Sequence, residues 1–255
     1  MSTDSMPELV KKIQLRTPAR LLAGRSGGAY RTATQLELRA AHAAARDAVR
    51  TDFNIEEHLG SELIERFGIF EALTQAQSKN EYLLRPDLGR RLSAESKDKI
   101  VARCAREPDL QIIIGDGLST TAVAAQVPTL LPRALQGAKA RGWTVGQPFA
   151  IRFCRVGILN DVGDLLAPKV AVLLIGERPG LSTAESLSAY MAFRPRTGHS
   201  DAERNLISNI HSRGVPNEEA ATRILNLAAK MMLVGTSGVS LREELPAGVS
   251  GQLSR

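Results

Sequence analysis

The chain has 255 residues, 43% of them apolar and 24% charged, with a net charge of +6. That length allows one large or two modest domains with a core that needs no metal or disulfide staple. The composition excludes a disordered or collagen-like chain, and 4% aromatics argue against a nucleic-acid binder built on stacked bases. Two cysteines, Cys104 and Cys154, make no disulfide framework and fit a reducing cytosol. The longest apolar run, Val170 to Gly176, falls far short of the ~20 residues of a membrane helix. Met1 to Pro7 lacks the basic and apolar regions of a secretory signal. The basic excess is dispersed, with 16 basic and 14 acidic residues in 1–100 and 17 and 13 after that. Solvated faces and subunit interfaces, an anionic small molecule and, last, nucleic acid remain as partners for it.

In chain order, the first ~95 residues read as helical because strand-like runs are absent. Helices are expected over Thr34 to Arg50 and Ile55 to Ala76, where Leu59, Leu63, Phe67 and Phe70 fall near helical spacing. Tyr82 to Leu92, with Pro86 and Gly89, reads as an ordered loop entering a helix from Ser96 to Arg106. The pattern changes near residue 107. Strands are expected at Leu110 to Ile114, Phe149 to Val156 and Val170 to Ile175, with helical stretches from Thr120 to Gln126 and Leu130 to Lys139. Ser182 and Glu185 make an S-x-x-E box that predicts a helix through Met191. Asn217 to Met231 is amphipathic at helical period. Strands alternating with helices, the strands continuously apolar, predict an α/β fold with a parallel sheet covered on both faces.

Ligands bind beyond the carboxyl ends of such strands. Three loops occupy that edge: Gly115 to Thr120, Arg155 to Asn160 and Gly176 to Gly180. Gly115-Asp-Gly117 has two glycines of a dinucleotide fingerprint but neither the third nor the distant acidic residue. A close approach to a ligand and a plain tight turn both stay open there, with Asp116 and Ser119 as helix caps in either case. Gly24-Arg-Ser26-Gly-Gly28 matches G-x-S-x-G, but its flanks lack the strand and helix of a nucleophile elbow. His42, His58, His199 and His211 do not pair at metal-ligand spacing. Asn209-Ile-His211-Ser-Arg-Gly214 approaches a cobalt-binding D-x-H-x-x-G pattern, yet Asn replaces the Asp that would orient the imidazole. Gly176-Glu-Arg-Pro-Gly180 places a carboxylate and a guanidinium straight after a buried strand. It reads either as a loop tightened by an ion pair or as a ligand-facing turn.

The ordered set Leu84-Arg-Pro-Asp-Leu-Gly-Arg-Arg-Leu92, Gly115-Asp-Gly-Leu-Ser-Thr120, Val170 to Leu181, Glu185-Ser-Leu-Ser188 and Ile207-Ser-Asn-Ile-His211 resembles the small subunit of ethanolamine ammonia-lyase. The resemblance runs from about Arg20 to about Met232. It implies an adenosylcobalamin-dependent enzyme that converts ethanolamine to acetaldehyde and ammonia by a radical route. It also implies a hetero-oligomer in which cobalamin lies between this chain and a large β/α-barrel subunit. Three positions match family contacts to cobalamin: Val156, Glu177 and Leu206. Leu206 stands where the family has Cys, so a contact there would be apolar or main-chain. No catalytic residue and no metal ligand is expected from this chain. The implied organisation is a helical N-terminal region, residues 1–95, preceding a Rossmann-like, mainly parallel cobalamin-binding domain, residues 96–255. The expected location is the cytoplasm, with a bacterial microcompartment as the alternative that the family raises. The competing reading is a stand-alone Rossmann-like enzyme acting on an anionic small molecule.

Overall fold

The apolar runs near residues 110, 150 and 170 become three neighbouring parallel strands in the computed structural model, which describes residues 8–15, 25–180 and 183–243. In chain order the elements are α1 (Glu8–Leu15), β1 (Arg25–Ser26), β2 (Ala29–Tyr30), α2 (Thr32–Arg50), α3 (Ile55–Leu59) and α4 (Ser61–Phe67). Then come β3 (Phe70–Leu73), α5 (Lys79–Leu84), α6 (Ala94–Arg103), β4 (Leu110–Gly115), α7 (Thr120–Ala140) and β5 (Phe149–Arg152). The chain continues through α8 (Ile158–Leu166), β6 (Val170–Gly176), β7 (Leu187–Phe193), β8 (Arg204–Ile210) and α9 (Asn217–Val234). β1 and β2 form a small hairpin of their own, and the other six strands form one sheet in the order β3-β5-β4-β6-β7-β8. The first three pairings are parallel and the last two antiparallel. This mainly parallel α/β sheet, preceded by helices, is of the Rossmann-like class. No helix among the described residues is long and apolar enough to cross a membrane.

Both faces of the sheet are buried, and side-chain alternation explains why its central strands are continuously apolar. On β4, Leu110, Ile112 and Ile114 join a core with α7 and α9, including Val127, Leu131, Ile224 and Leu227. Ile113 points the other way, into a core with Ile100 of α6 and Ile158 and Val162 of α8. β6 divides likewise, Val172 and Leu174 against Ala171 and Leu173. Each such aliphatic side chain contributes about 1.5–3 kcal/mol by burial. α7 is a single helix through Pro128 and Pro132, where two stretches were expected. Its buried face, Val123 to Ala138, outweighs the hydrogen bonds that the prolines remove.

Three expectations fail. The helix expected through residue 76 ends at Phe67, because Gly68 takes a left-handed cap (φ +63°). Phe70 to Leu73 then becomes β3, pairing Phe70 with Phe149 in parallel. So the first 95 residues do contribute a strand to the sheet. The helix expected from the S-x-x-E box is instead β7, Leu187–Phe193; Ser182 itself lies outside the described residues. Leu187, Ala189 and Met191 alternate into the α7–α9 core, and pairing with β6 satisfies the backbone that a helix would have bonded internally. The strand expected to reach residue 156 stops at Arg152, since Phe153 is left-handed (φ +58°). A smaller difference lies at Tyr82, which the sequence puts in a loop and the structure puts in α5.

Candidate functional site

The carboxyl ends of β4, β5 and β6 open onto a cavity of about 290 Å³. Its walls include Gly117 and Leu118 after β4, Cys154 to Val156 after β5, and Gly176 to Arg178 after β6. The antiparallel extension supplies another wall. Ser188 and Tyr190 on β7, with Leu206 and Ser208 on β8, line it at every second residue, and Tyr190 sits directly across from Leu206. A wider trough of about 830 Å³ shares Arg155, Val156, Tyr190 and Leu206 with this cavity, so the two are continuous.

The three positions singled out from sequence, Val156, Glu177 and Leu206, therefore line one cavity. Val156 and Leu206 present apolar surface, and Leu206 is 46% exposed. Glu177 works differently. Its carboxylate accepts from Ser186 Oγ (2.6 Å), Ser188 Oγ (2.5 Å) and the main-chain N–H of Asn209 (3.0 Å). It clamps the β6–β7 turn to β7 and β8 and makes no ion pair with Arg178. Asn209, gripped in this way, is itself left-handed (φ +61°).

Beneath the cavity lies a buried polar knot. The Asp116 carboxylate, fully buried, accepts the N–H groups of Phe153 (3.0 Å) and Cys154 (2.8 Å). Those bonds hold the strained turn after β5. Burial pushes the Asp116 carboxyl up from the ordinary range, opposed by the Lys79 ammonium 3.8 Å away and by the main-chain donors. Asp116 thus grips a neighbouring loop and does not cap α7; Ser119 caps it, accepting from Ala122 N–H at 3.3 Å. The Tyr82 hydroxyl lies 2.9 Å from both Gly117 O and Cys154 O. Burial and the nearby Asp116 push its pKa far up, so it stays a neutral donor. Arg155 stacks over the Tyr82 ring at 4.3 Å.

The glycines of the edge serve the chain crossing itself. Gly117 is left-handed (φ +57°), and a Cβ there would meet Gly176 O at 2.3 Å. Leu118 N–H donates to that same carbonyl at 3.1 Å. Both cysteine thiols are buried, and burial pushes Cys104 up to about 11 and Cys154 well above its usual value, so neither is an activated nucleophile. His211 is 4% exposed and occupied locally: Nε2 lies 2.8 Å from Asn209 Oδ1, and Nδ1 accepts from Arg213 N–H at 3.2 Å. Among the described residues no group of His, Cys, Asp and Glu side chains could hold a metal ion. The G-x-S-x-G match begins at Gly24, outside the described residues, and Ser26 ends the two-residue β1 with no helix directly after it.

Sequence reasoning missed Tyr82 and Tyr190. Tyr82 lies in a segment that reads as a loop, and Tyr190 lies in the expected helix. Strand alternation over 187–193 would have put Tyr190 and Ser188 on one face.

Comparison with known proteins agrees with the resemblance. The family model for the ethanolamine ammonia-lyase light chain matches residues 7–242. The ethanolamine ammonia-lyase small subunit of Clostridium perfringens is 42% identical over 235 residues, covering 92% of this chain and 78% of that protein. The small subunit of Fusobacterium nucleatum is 41% identical over 231 residues, 91% and 76% of the two chains. That of Clostridium acetobutylicum is 40% identical over 239 residues, 94% and 96%. With a family match across almost all of its length and relatives at this identity, the chain belongs to the ethanolamine ammonia-lyase light chain family.

Proposed function

We propose that this chain, with a large subunit, holds adenosylcobalamin for the radical deamination of ethanolamine to acetaldehyde and ammonia. One observation carries the reading. Val156, Glu177 and Leu206 come from three separate loops and strands, yet line one cavity at the carboxyl edge of the sheet.

The residues present fit the cofactor. A corrin has an apolar rim studded with amides, and it carries a phosphate on its nucleotide arm. Val156, Leu206 and the Tyr190 ring offer apolar contact, while Ser208 and the edge carbonyls offer amide partners. The continuous trough gives room beyond the first cavity. When bound, adenosylcobalamin supplies the radical chemistry. The chain's own residues bind and orient: Val156 and Leu206 pack the rim, and Glu177 fixes the strands that carry Ser188 and Leu206. The cavity is open to solvent at Leu206, whereas radical chemistry requires water and side reactions to be excluded. A second subunit closing over this edge meets that need. Among the described residues no set of side chains at this edge is suited to bind an amino alcohol and steer a radical.

The test assays ammonia release with adenosylcobalamin for this chain alone, the large subunit alone and both together. Activity is expected only with both, and full activity in this chain alone would favour a stand-alone enzyme. In the complex, Leu206→Asp should weaken adenosylcobalamin retention on gel filtration by about tenfold or more, because a charge would face apolar corrin. Unchanged retention would place the cofactor elsewhere.

A further inference from the structure

The trough beside the cavity has a charge that its own residues leave unanswered. It is lined by Arg90, Arg91, Arg155 and Arg204 against two carboxylates, Asp87 and Asp201. Arg204 pairs with Asp201 and donates to Asn160 Oδ1 at 3.0 Å. Asp87 is held by Arg85, through bonds of 3.0 and 2.8 Å. Arg91 is held by Asp161 at 2.8 Å. The guanidiniums of Arg90 and Arg155 have neither a carboxylate nor a hydrogen-bond partner among the described residues. Arg155 Nε is buried without one.

The chain has built a support for this unpaired couple. A Cβ on Gly89 would sit 2.8 Å from Arg155 Cγ, and a Cβ on Gly157 would sit 2.9 Å from Arg90 Cγ. Each loop thus has a glycine where the arginine stem of the other loop crosses it. The Arg155 N–H donates to Gly89 O at 2.8 Å, which locks the crossing. The Tyr82 ring packs against the Arg155 guanidinium, 4.3 Å away. A guanidinium stacked on Tyr82 and a second one exposed in the same trough, both without counter-charge, are suited to a phosphate oxyanion, which accepts the planar fork of an arginine bidentately.

We infer that Arg90 and Arg155 form an anion subsite that takes the phosphodiester of the cobalamin nucleotide arm. This rests on the cofactor reading above. The subsite adjoins the cavity of Val156, Glu177 and Leu206, because Arg155, Val156 and Leu206 line both hollows.

The experiment uses the complex with the large subunit and measures binding by equilibrium dialysis, read from corrinoid absorbance. Three probes are compared: cyanocobalamin, cobinamide phosphate and cobinamide, which lacks the phosphate. Wild type should bind cobinamide phosphate about tenfold or more tightly than cobinamide, the scale of a charge-assisted hydrogen bond. Arg90→Gln, at an exposed position, and Arg155→Lys, which keeps the charge and loses the fork, should each shrink that ratio. The Arg90→Gln, Arg155→Lys double variant should abolish it. A ratio within one variant is insensitive to a general loss of fold. A ratio near one in wild type, or an unchanged ratio in the double variant, would overturn the subsite while leaving the cofactor reading intact. Wild-type complex that binds none of the three would overturn the cofactor reading and the subsite with it.

Discussion

The Tyr82 hydroxyl ties the loop after β4 to the loop after β5 through two carbonyls, each 2.9 Å away. Tyr82→Phe leaves both carbonyls buried with one donor fewer, which costs about 1–3 kcal/mol. Urea unfolding should show a lower midpoint at unchanged slope, and an unmoved midpoint would mean that the hydroxyl is dispensable. Nothing near Tyr82 in the sequence announces this role, since its partners lie in loops far along the chain. Asp116 is a similar case: next to a helix start it reads as a cap, and only the folded sheet brings Phe153 and Cys154 N–H to it. The loops that carry Val156 and Glu177 were legible because strands are expected before them, and the carboxyl edge of such strands is where ligands sit, whereas the two residues themselves were singled out as cofactor contacts by the family resemblance alone. What could not be read was that the Glu177 carboxylate is occupied by two serines and a backbone amide.

Helix α8 shows how an element depends on one missing side chain. A Cβ on Gly163 would lie 1.8 Å from Pro195 O, a main-chain atom with little freedom to yield. Gly163 therefore lets α8 lie against the chain that follows β7. Gly163→Ala should destabilise the protein by about 2 kcal/mol or more, despite the better helix propensity of alanine. Thermal unfolding checks it, and a variant as stable as wild type would show that α8 can shift freely. The strands differ in how far they were legible. β6 declares itself by an unbroken aliphatic run and β4 by one that only Gln111 interrupts, a pattern that a doubly covered strand needs. β3 has four residues, and Phe67, Phe70 and Leu73 at intervals of three mimic a helix; the break at Gly68 was the overlooked signal. β7 was hidden by a capping pattern whose Glu185 carbonyl instead accepts from Gln126 of α7.

Across the whole molecule, the sheet is assembled from chain segments out of sequence order. β4, near the middle of the chain, lies between β5 and β6, while β3 arrives last in space, at an edge, although it comes first in sequence. Its one strand partner is β5, and on its outer side Leu73 N–H donates to Ser96 Oγ at 2.7 Å while Leu73 O accepts from Ser93 N–H at 3.0 Å. The strand it needs, β5, is synthesised long after it, so β3 has no strand partner until β5 is made. This ordering has a kinetic consequence. The closure entropy of the long intervening loop is to be met before any β3–β5 contact forms, so β3 should join the sheet late and leave it early. Native-state hydrogen exchange should then find the Phe70 to Leu73 amides exchanging through an opening of lower free energy than those of β4 and β6. Equal free energies for all three strands would mean that the edge and the centre come apart as a single unit. If the edge does open alone, the anchorage of α5, and of the Tyr82 it carries, loosens before the rest of the protein unfolds.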